Sequence, residues 1–193
     1  MSQGASQSGP EARTVATDRW FAAAAGILVG LVYLLTMART VSFWDSGEYI
    51  ACSWIAGIPH PPCVPLFVML GRFSTLLFGF IPDVATRTNL MCVIAGAVSM
   101  ALIARLTQRW SGRSGLRPAF YRPVSLAAAM LSGFSFTIWQ NNNAMETYAI
   151  SQSIAVIAIW VFDIWIVRPE ASRPADRQLY VVLYLLTMAV GVH

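Results

Sequence analysis

Lysine is absent from this sequence, and only 11% of its 193 residues are charged. Soluble domains carry about 25% charged residues, so this composition excludes an ordinary soluble protein. The formal charge of +4 rests on arginines that lie between apolar runs. Such placement indicates orientation in a membrane, so we expect a lipid bilayer as a partner and no nucleic acid.

Other absences narrow the chemistry. The sequence has no nucleotide-binding glycine loop, no zinc ligand set and no nucleophile elbow. Its three cysteines lack the spacing of metal ligands, and Cys52 and Cys63 either pair or remain free thiols. The apolar runs lack the two-residue alternation of a transmembrane barrel. We therefore predict a helical protein without a metal centre.

Long apolar runs dominate the sequence, which is 56% hydrophobic. A transmembrane helix needs about 20 such residues to cross about 30 Å of hydrocarbon. We predict an all-α, polytopic protein in which Gly26 and Gly30 form a small-residue packing motif. Residues 1–19, rich in Ser, Gly and Gln, are expected to be a disordered cytoplasmic tail. The rest, expected to be truncated at its C-terminus, contains predicted spans at about 20–38, 88–106, 123–139, 148–167 and 178–193.

One apolar run, residues 64–81, carries Arg72 near its centre, where an arginine costs roughly 2.5–3.5 kcal/mol. If this run lies in the interface and the N-terminus is cytoplasmic, ten arginines fall inside and three outside. If it spans and the N-terminus is outside, nine fall inside and three outside, and Arg72 lies in the middle of the membrane. The first topology is preferred because it keeps one site together on the outer face, and the arginines of residues 105–122 then serve topology alone. That face would hold Asp45, Glu48, His60, Asp83, Glu146 and His193.

Two carboxylates stand out in the segment FWDSGEYI, because aromatic residues flank them. Asp45 and Glu48 are three positions apart and would share one face of a helix. Apolar surroundings raise the pKa of a carboxyl group, which suits a general base. Alternatively, Asp45 only caps a helix that begins near Glu48, and Glu48 is a solvated carboxylate.

Four further residues have one functional and one structural interpretation each. His60 lies among prolines that fix its direction, or it is a bystander in a turn. Glu146 follows an asparagine run and either joins a site or caps the next helix. Arg72 and Arg87 either bind a phosphate with their planar guanidinium groups or reach towards lipid headgroups.

These residues belong to segments whose order resembles that of a known family. The segments are FWDSGEYI, GIPHPPCVPL, LGRFSTLLF, ATRTNL, FSFTIWQNNNAMETYAI and a terminal GVH. Together they resemble the N-terminal portion of glycosyltransferase family 117, a GT-C branch that includes protein O-mannosyltransferases. That family usually has glycine and then an aromatic after the two prolines, where this chain has Cys63 and Val64. The resemblance implies a GT-C-like fold with two membrane-parallel helices, at about 48–58 and 64–80, in the first outer loop.

The same resemblance implies an inverting glycosyltransferase without a resident cofactor. It would move a sugar such as mannose from a polyprenyl-phosphate donor to a hydroxyl of a protein or glycan on the outer or lumenal face. Asp45 would be the general base, and Glu48 would position the acceptor or sugar. The residues implied in binding the lipid phosphate or lining its cavity are His60, Arg72, Arg87, Glu146 and His193.

Two other functions stay open on the residues alone: a transporter or channel component, and an inactive fragment or scaffold. A transporter predicts ionisable groups at mid-span, whereas the acids here lie in loops or near the ends of spans. Arginine without lysine is typical of a GC-rich bacterial genome, which predicts the bacterial inner membrane as the location. A eukaryotic source would place the protein in the membrane of the endoplasmic reticulum.

Overall fold

The computed structural model describes residues 10–167 and 177–192, and it confirms the all-α prediction for them. His193, one of the predicted site residues, lies outside the described residues. Eight helices are present in these two ranges. They are α1 (Pro10–Thr36), α2 (Ser46–Ile55), α3 (Pro65–Leu77), α4 (Val84–Arg113), α5 (Pro118–Gly133), α6 (Phe136–Asn142), α7 (Thr147–Ile166) and α8 (Arg177–Val190).

Three of these helices are long and apolar enough to cross a membrane: α1 from Thr14 onward, α4 and α7. The protein is therefore an integral membrane protein. By contrast, α3 has 13 residues and is about 20 Å long, short of the roughly 30 Å of hydrocarbon. The structure thus supports the interfacial interpretation of residues 64–81, on which the preferred topology depends.

Two other predicted spans correspond to shorter helices. The one at about 123–139 consists of α5 and α6, separated at Phe134 and Ser135. At this break the Tyr33 hydroxyl donates a hydrogen bond of 2.6 Å to the carbonyl oxygen of Gly133, the last residue of α5. The one at about 178–193 corresponds to α8, which has 14 residues. The number of spans stays a prediction.

The expected disordered tail needs a correction at residues 10–19, because α1 already begins at Pro10, and residues 1–9 lie outside the described residues. Proline suits the first turn of a helix, where its missing N–H would have no partner. Further along, the buried Asp18 accepts hydrogen bonds from the Tyr121 hydroxyl at 2.7 Å and from Arg122 Nε at 2.9 Å. These long-range bonds order a segment whose composition alone indicates disorder.

Within residues 10–167 and 177–192, the apolar core consists of two clusters. One lies between α1, α4 and α5 and includes the fully buried Val29, Tyr33 and Met100. The other lies under α2 and α3 and includes the fully buried Phe67 and Met145. The first cluster joins the long helices, and the second holds the short helices of the first loop against their ends.

Helix α1 approaches α4 closely at the predicted small-residue motif. A Cβ atom placed on Gly26 would lie 2.7 Å from both Ala101 Cβ and the carbonyl oxygen of Ala97. A Cβ atom on Gly30 would lie 2.8 Å from Ala97 Cβ. Because these distances leave no room for a side chain, the backbones meet in the way that small residues allow in membranes.

Replacing Gly26 with alanine is expected to destabilise the protein by about 1–3 kcal/mol, because the new methyl group must push α1 away from α4. The matched control is Gly112→Ala in α4, where an added Cβ meets only a Tyr121 ring carbon at 3.7 Å. Alanine favours helix over glycine by about 1 kcal/mol, so the control should be neutral or stabilising. Thermal unfolding in detergent compares the two variants, and equal melting temperatures would contradict the close packing.

Candidate active site

The segment between α1 and α2 is tied to two other elements by hydrogen bonds to its backbone. The N–H of Ala38 donates to the carbonyl oxygen of Asn143 at 2.9 Å, just before α7. The Asn89 amide donates to the Ala38 carbonyl at 2.7 Å, and the Thr86 hydroxyl donates to the Arg39 carbonyl at 3.3 Å, both from α4. These bonds gather the C-terminal end of α1 and the N-terminal ends of α4 and α7 at one end of the bundle.

Asp45, Glu48 and His60 form a cluster at this end. Glu48 Oε2 lies 2.7 Å from His60 Nδ1, and Glu48 Oε1 accepts the backbone N–H of His60 at 2.7 Å. The other ring nitrogen, His60 Nε2, lies 3.8 Å from Asp45 Oδ2. All three side chains stay between 40% and 55% exposed, so a substrate can reach them.

The imidazole of His60 is held in place, which argues against a bystander. Its ring stacks on Tyr49, with centroids 6.1 Å apart and an angle of 26° between the planes. The hydrogen bond to Glu48 raises the pKa of His60, and the same bond lowers the pKa of Glu48. The imidazolium form is therefore favoured next to two carboxylates.

The turn after His60 contains Cys63 and Val64, where the sequence departs from the resembling family. Cys63 and Val64 have φ angles of 71° and 29°, in the left-handed region that favours glycine. Cys63 occupies the position where the resembling family usually has glycine, and it adopts a φ angle that favours glycine. All three cysteines, Cys52, Cys63 and Cys92, are free thiols, which settles the question of pairing.

The cluster also has the dimensions of a cation site. One ligand atom each from Asp45, Glu48 and His60 lies within 4.8 Å of the others. Nε2 of His60 and the carboxylate of Asp45 could share a divalent cation while Glu48 holds the opposite ring nitrogen, as carboxylates do behind many metal-bound histidines. The prediction that no metal is involved stays a prediction.

A cleft of about 770 Å³ opens beside Asp45. Its walls come from the α1–α2 segment, from α6 and from the start of α7. The lining combines two carboxylates with aromatic rings, side-chain amides and hydroxyls: Thr36, Ser42, Phe43, Trp44, Asp45, Thr137, Trp139, Gln140, Asn141, Asn143, Glu146 and Tyr148. Ala38 and Ala144 also line the cleft. Among the described residues, no arginine belongs to this lining.

Asp45 and Glu146 occupy the N-cap positions of α2 and α7, yet neither side chain makes a capping hydrogen bond. Asp83 at the start of α4 does cap its helix, because its carboxylate accepts the N–H of Thr86 at 2.5 Å. The interpretation of Asp45 and Glu146 as simple caps is therefore wrong. Both carboxylates instead line the same cleft.

Glu146 is the less exposed of the two cleft carboxylates. Burial raises its pKa from an ordinary value of 4.5 to about 7, and the negative charge of Asp45 adds to the rise. A carboxyl group that titrates near pH 7 can both take and give a proton at neutral pH. The cleft thus joins two acids whose surroundings differ, an arrangement that assigns different roles to paired carboxyl groups.

Arg72 and Arg87 lie outside the cleft lining and pack together on Trp54, at the end of α2. Their guanidinium carbons are 5.8 and 5.7 Å from the centre of the Trp54 ring. Arg72 donates to the carbonyl of Trp54 at 2.5 Å, and Arg87 Nε donates to the carbonyl of Ile81 at 2.6 Å. Both arginines thus bond carbonyls at the ends of the short helices, and their predicted role in phosphate binding stays a prediction.

A sequence profile described as the N-terminal domain of protein O-mannosyl-transferase TMEM260 matches residues 45–193. The mouse protein O-mannosyl-transferase TMEM260 is 34% identical over 123 residues, which cover 64% of this chain. The Dictyostelium discoideum protein O-mannosyl-transferase tmem260 is 24% identical over 139 residues, which cover 72%.

The chain belongs to the TMEM260 N-terminal domain family. It spans 16% of the length of each of the two relatives. No solved structure matches the chain. The family match begins at Asp45, so all the candidate residues fall within it, whereas α1 precedes it.

Sequence reasoning within this family missed most of the cleft wall. Thr36, Gln140 and Asn143 were not singled out as site residues, although the asparagine run was recognised as polar. The Asn143 Oδ1 atom lies 3.2 Å from Thr36 Oγ1, and Trp139 Nε1 donates to the same hydroxyl at 3.1 Å. A polar run between a tryptophan and a second aromatic, next to an acid, was the available signal.

Replacing Glu48 with glutamine is expected to lower the pKa of His60 towards its ordinary value of 6.5, because the main charged partner is lost. NMR titration of isotope-labelled histidine measures this, and a His193→Gln background leaves His60 as the one histidine of this sequence. Asp45→Asn is the matched control and should lower the pKa less, since Asp45 lies 3.8 Å away rather than 2.7 Å. Equal effects would contradict the geometry.

Replacing Glu146 with glutamine is expected to raise the melting temperature at pH 8. The folded-state pKa of about 7 lies above the ordinary 4.5, so ionisation destabilises the fold as pH rises through this range. The gain should shrink as pH falls towards 4. Asp83→Ala should have the opposite sign at pH 8, costing about 0.5–2 kcal/mol, because it removes a cap whose carboxyl pKa is lowered by Thr86. A pH-independent gain in Glu146→Gln would refute the assignment.

Proposed function

We propose that this chain is the N-terminal part of a membrane glycosyltransferase that transfers mannose from a polyprenyl-phosphate donor to a hydroxyl group of a protein. The observation that carries the proposal is the pair of non-capping carboxylates, Asp45 and Glu146, in one cleft at the end of long apolar helices. Both named relatives are protein O-mannosyl-transferases, which supports a sugar and a hydroxyl acceptor. A lipid-linked donor suits an enzyme whose site opens beside a bilayer.

In this proposal Asp45 accepts the proton of the acceptor hydroxyl. The acceptor oxygen then forms a bond to the anomeric carbon as the bond between that carbon and the phosphate oxygen breaks. The electron pair of the breaking bond leaves with the polyprenyl phosphate. Because attack and departure occur on opposite faces of the sugar, the configuration at the anomeric carbon is inverted.

The cleft wall suits a sugar better than it suits a phosphate. Aromatic rings of Trp44, Trp139 and Tyr148 offer flat surfaces, and the amides of Gln140 and Asn141 offer both donors and acceptors for hydroxyl groups. Glu146, with its pKa of about 7, can donate a hydrogen bond to a sugar hydroxyl when protonated. We assign it to sugar positioning and assign the proton transfer to Asp45.

The departing phosphate needs positive charge, and the cleft lining named above contains no cationic side chain. We assign this charge to His60, because its bond to Glu48 favours the charged imidazolium and its Nε2 lies beside Asp45. Glu48 then acts through His60 by orienting it. A preorganised charge of this kind stabilises a leaving group without further rearrangement.

Replacing Asp45 with asparagine is expected to reduce transfer about 10²–10⁴-fold, because the side chain keeps its size but can no longer accept the proton. The assay uses full-length protein, tritium-labelled polyprenyl-phosphate mannose and a peptide rich in serine and threonine. The matched control is Asp83→Asn at the same end of the bundle, since asparagine still caps α4 and Asp83 is not in the cleft lining.

Full activity in Asp45→Asn would overturn the role of Asp45. A greater loss in Glu146→Gln than in Asp45→Asn would reverse the two assignments. If the wild-type protein used a nucleotide sugar and not the lipid-linked donor, the donor proposal would be wrong.

A further inference from the structure

A second cleft, of about 600 Å³, lies at the opposite end of the bundle from Asp45. It is built from the N-terminal part of α1, the C-terminal part of α4 and the start of α5, with Val167 beyond the end of α7. The polar lining residues that matter for the argument are Asp18, Arg105, Gln108, Arg109, Arg113 and Tyr121. None of these residues takes part in the proposed transfer reaction.

Arginines gather on one face of α4 in this cleft. Arg105, Arg109 and Arg113 follow one another at intervals of four residues, so they share a helix face. Like charges at this spacing repel, and the arrangement therefore needs partners. Two aspartates from other helices, Asp163 and Asp18, supply negative charge that offsets part of this repulsion.

Asp163 of α7 is buried and receives three donors from α4. Arg109 Nε donates to it at 2.5 Å and Trp110 Nε1 at 2.8 Å, and Arg113 also donates to it. Arg168, which follows α7 in the sequence, lies outside the described residues. The acid near the end of the predicted span therefore serves to hold two arginines of the neighbouring helix.

Asp18 of α1 likewise pairs with arginines, on the other side of the cleft. It accepts hydrogen bonds from Arg122 Nε at 2.9 Å and from the Tyr121 hydroxyl. Arg105 Nη1 lies 3.8 Å from its Oδ2 atom. In the part of the chain that the structure describes, four arginines thus converge on two aspartates. Two positive charges remain in excess, and each guanidinium carries five N–H donors, more than these bonds use.

The depth of this cleft matches that of lipid headgroups. Helix α4 has 30 residues and is about 45 Å long, so its last turns extend beyond about 30 Å of hydrocarbon. Aromatic rings mark the same level, with Arg109 5.4 Å from the centre of the Trp160 ring and Arg122 5.5 Å from that of Phe21. Tryptophans of this kind concentrate at the boundary between hydrocarbon and water.

We propose that the arginine cleft binds the phosphate of an anionic phospholipid headgroup, with Arg105 and Arg113 as the main contacts. A guanidinium group pairs its N–H donors with phosphate oxygens in a planar fork, which an isolated surface charge does not do. Basic pockets between membrane helices are known to hold such headgroups. Val15 and Val167 also line the cleft and can contact the acyl chains.

The test measures binding of phosphatidylglycerol to delipidated full-length protein in detergent, by native mass spectrometry and by thermal unfolding. Phosphatidylglycerol should bind and raise the melting temperature, whereas phosphatidylcholine and inorganic phosphate at equal concentration should not. The double variant Arg105→Gln, Arg113→Gln should weaken phosphatidylglycerol binding at least tenfold. It leaves Asp163 with Arg109 and Trp110, and Asp18 with Arg122 and Tyr121.

The matched control is Arg117→Gln, which removes the same charge from an exposed position outside the cleft lining. If this control weakens binding as much as the cleft variants do, diffuse surface charge explains the effect and the proposal falls. Stabilisation by inorganic phosphate equal to that by the lipid would also overturn it in favour of a soluble anion. Should the double variant fail to fold, Arg105→Gln alone decides by the same tenfold criterion.

Discussion

The contact between α1 and α4 is the constraint on which the rest of the structure depends. Glycine on α1 meets alanine on α4 so closely that no side chain fits between the backbones. This contact sets the end of α1 beside the start of α4, where Asn89 and Thr86 bond the segment that follows α1. Asp45 can reach the cleft beside Glu146 because that segment is fixed.

Three helices begin with an acid at the N-cap position, and the fold uses those acids in two ways. Asp83 caps its helix in the usual manner, whereas Asp45 and Glu146 line a cleft. A cap stabilises a helix end by about 1 kcal/mol, so leaving two ends without one has a cost. Such a cost at two positions of one cleft is typical of a site selected for chemistry.

The two ends of the bundle have opposite character. One end gathers carboxylates, amides and aromatic rings around an open cleft, and the other gathers arginines around two buried aspartates. The charge pattern of the sequence indicated this asymmetry through the arginines of residues 105–122, which were assigned to orientation alone. Their convergence on Asp18 and Asp163 became visible only when α1, α4, α5 and α7 were brought together.

The sequence by itself determined the helical class, the membrane environment, the family and the close packing at Gly26, because apolar run length, composition and local motifs encode these features. Tertiary structure alone decided that Glu48 holds His60, that Glu146 faces the cleft and that Arg72 and Arg87 lie on Trp54. At the break between α5 and α6, Gly133 likewise bonds Tyr33, which lies 100 residues away in the sequence. A local pattern fixes which helix forms, but a side chain's partner depends on which distant segment packs against it.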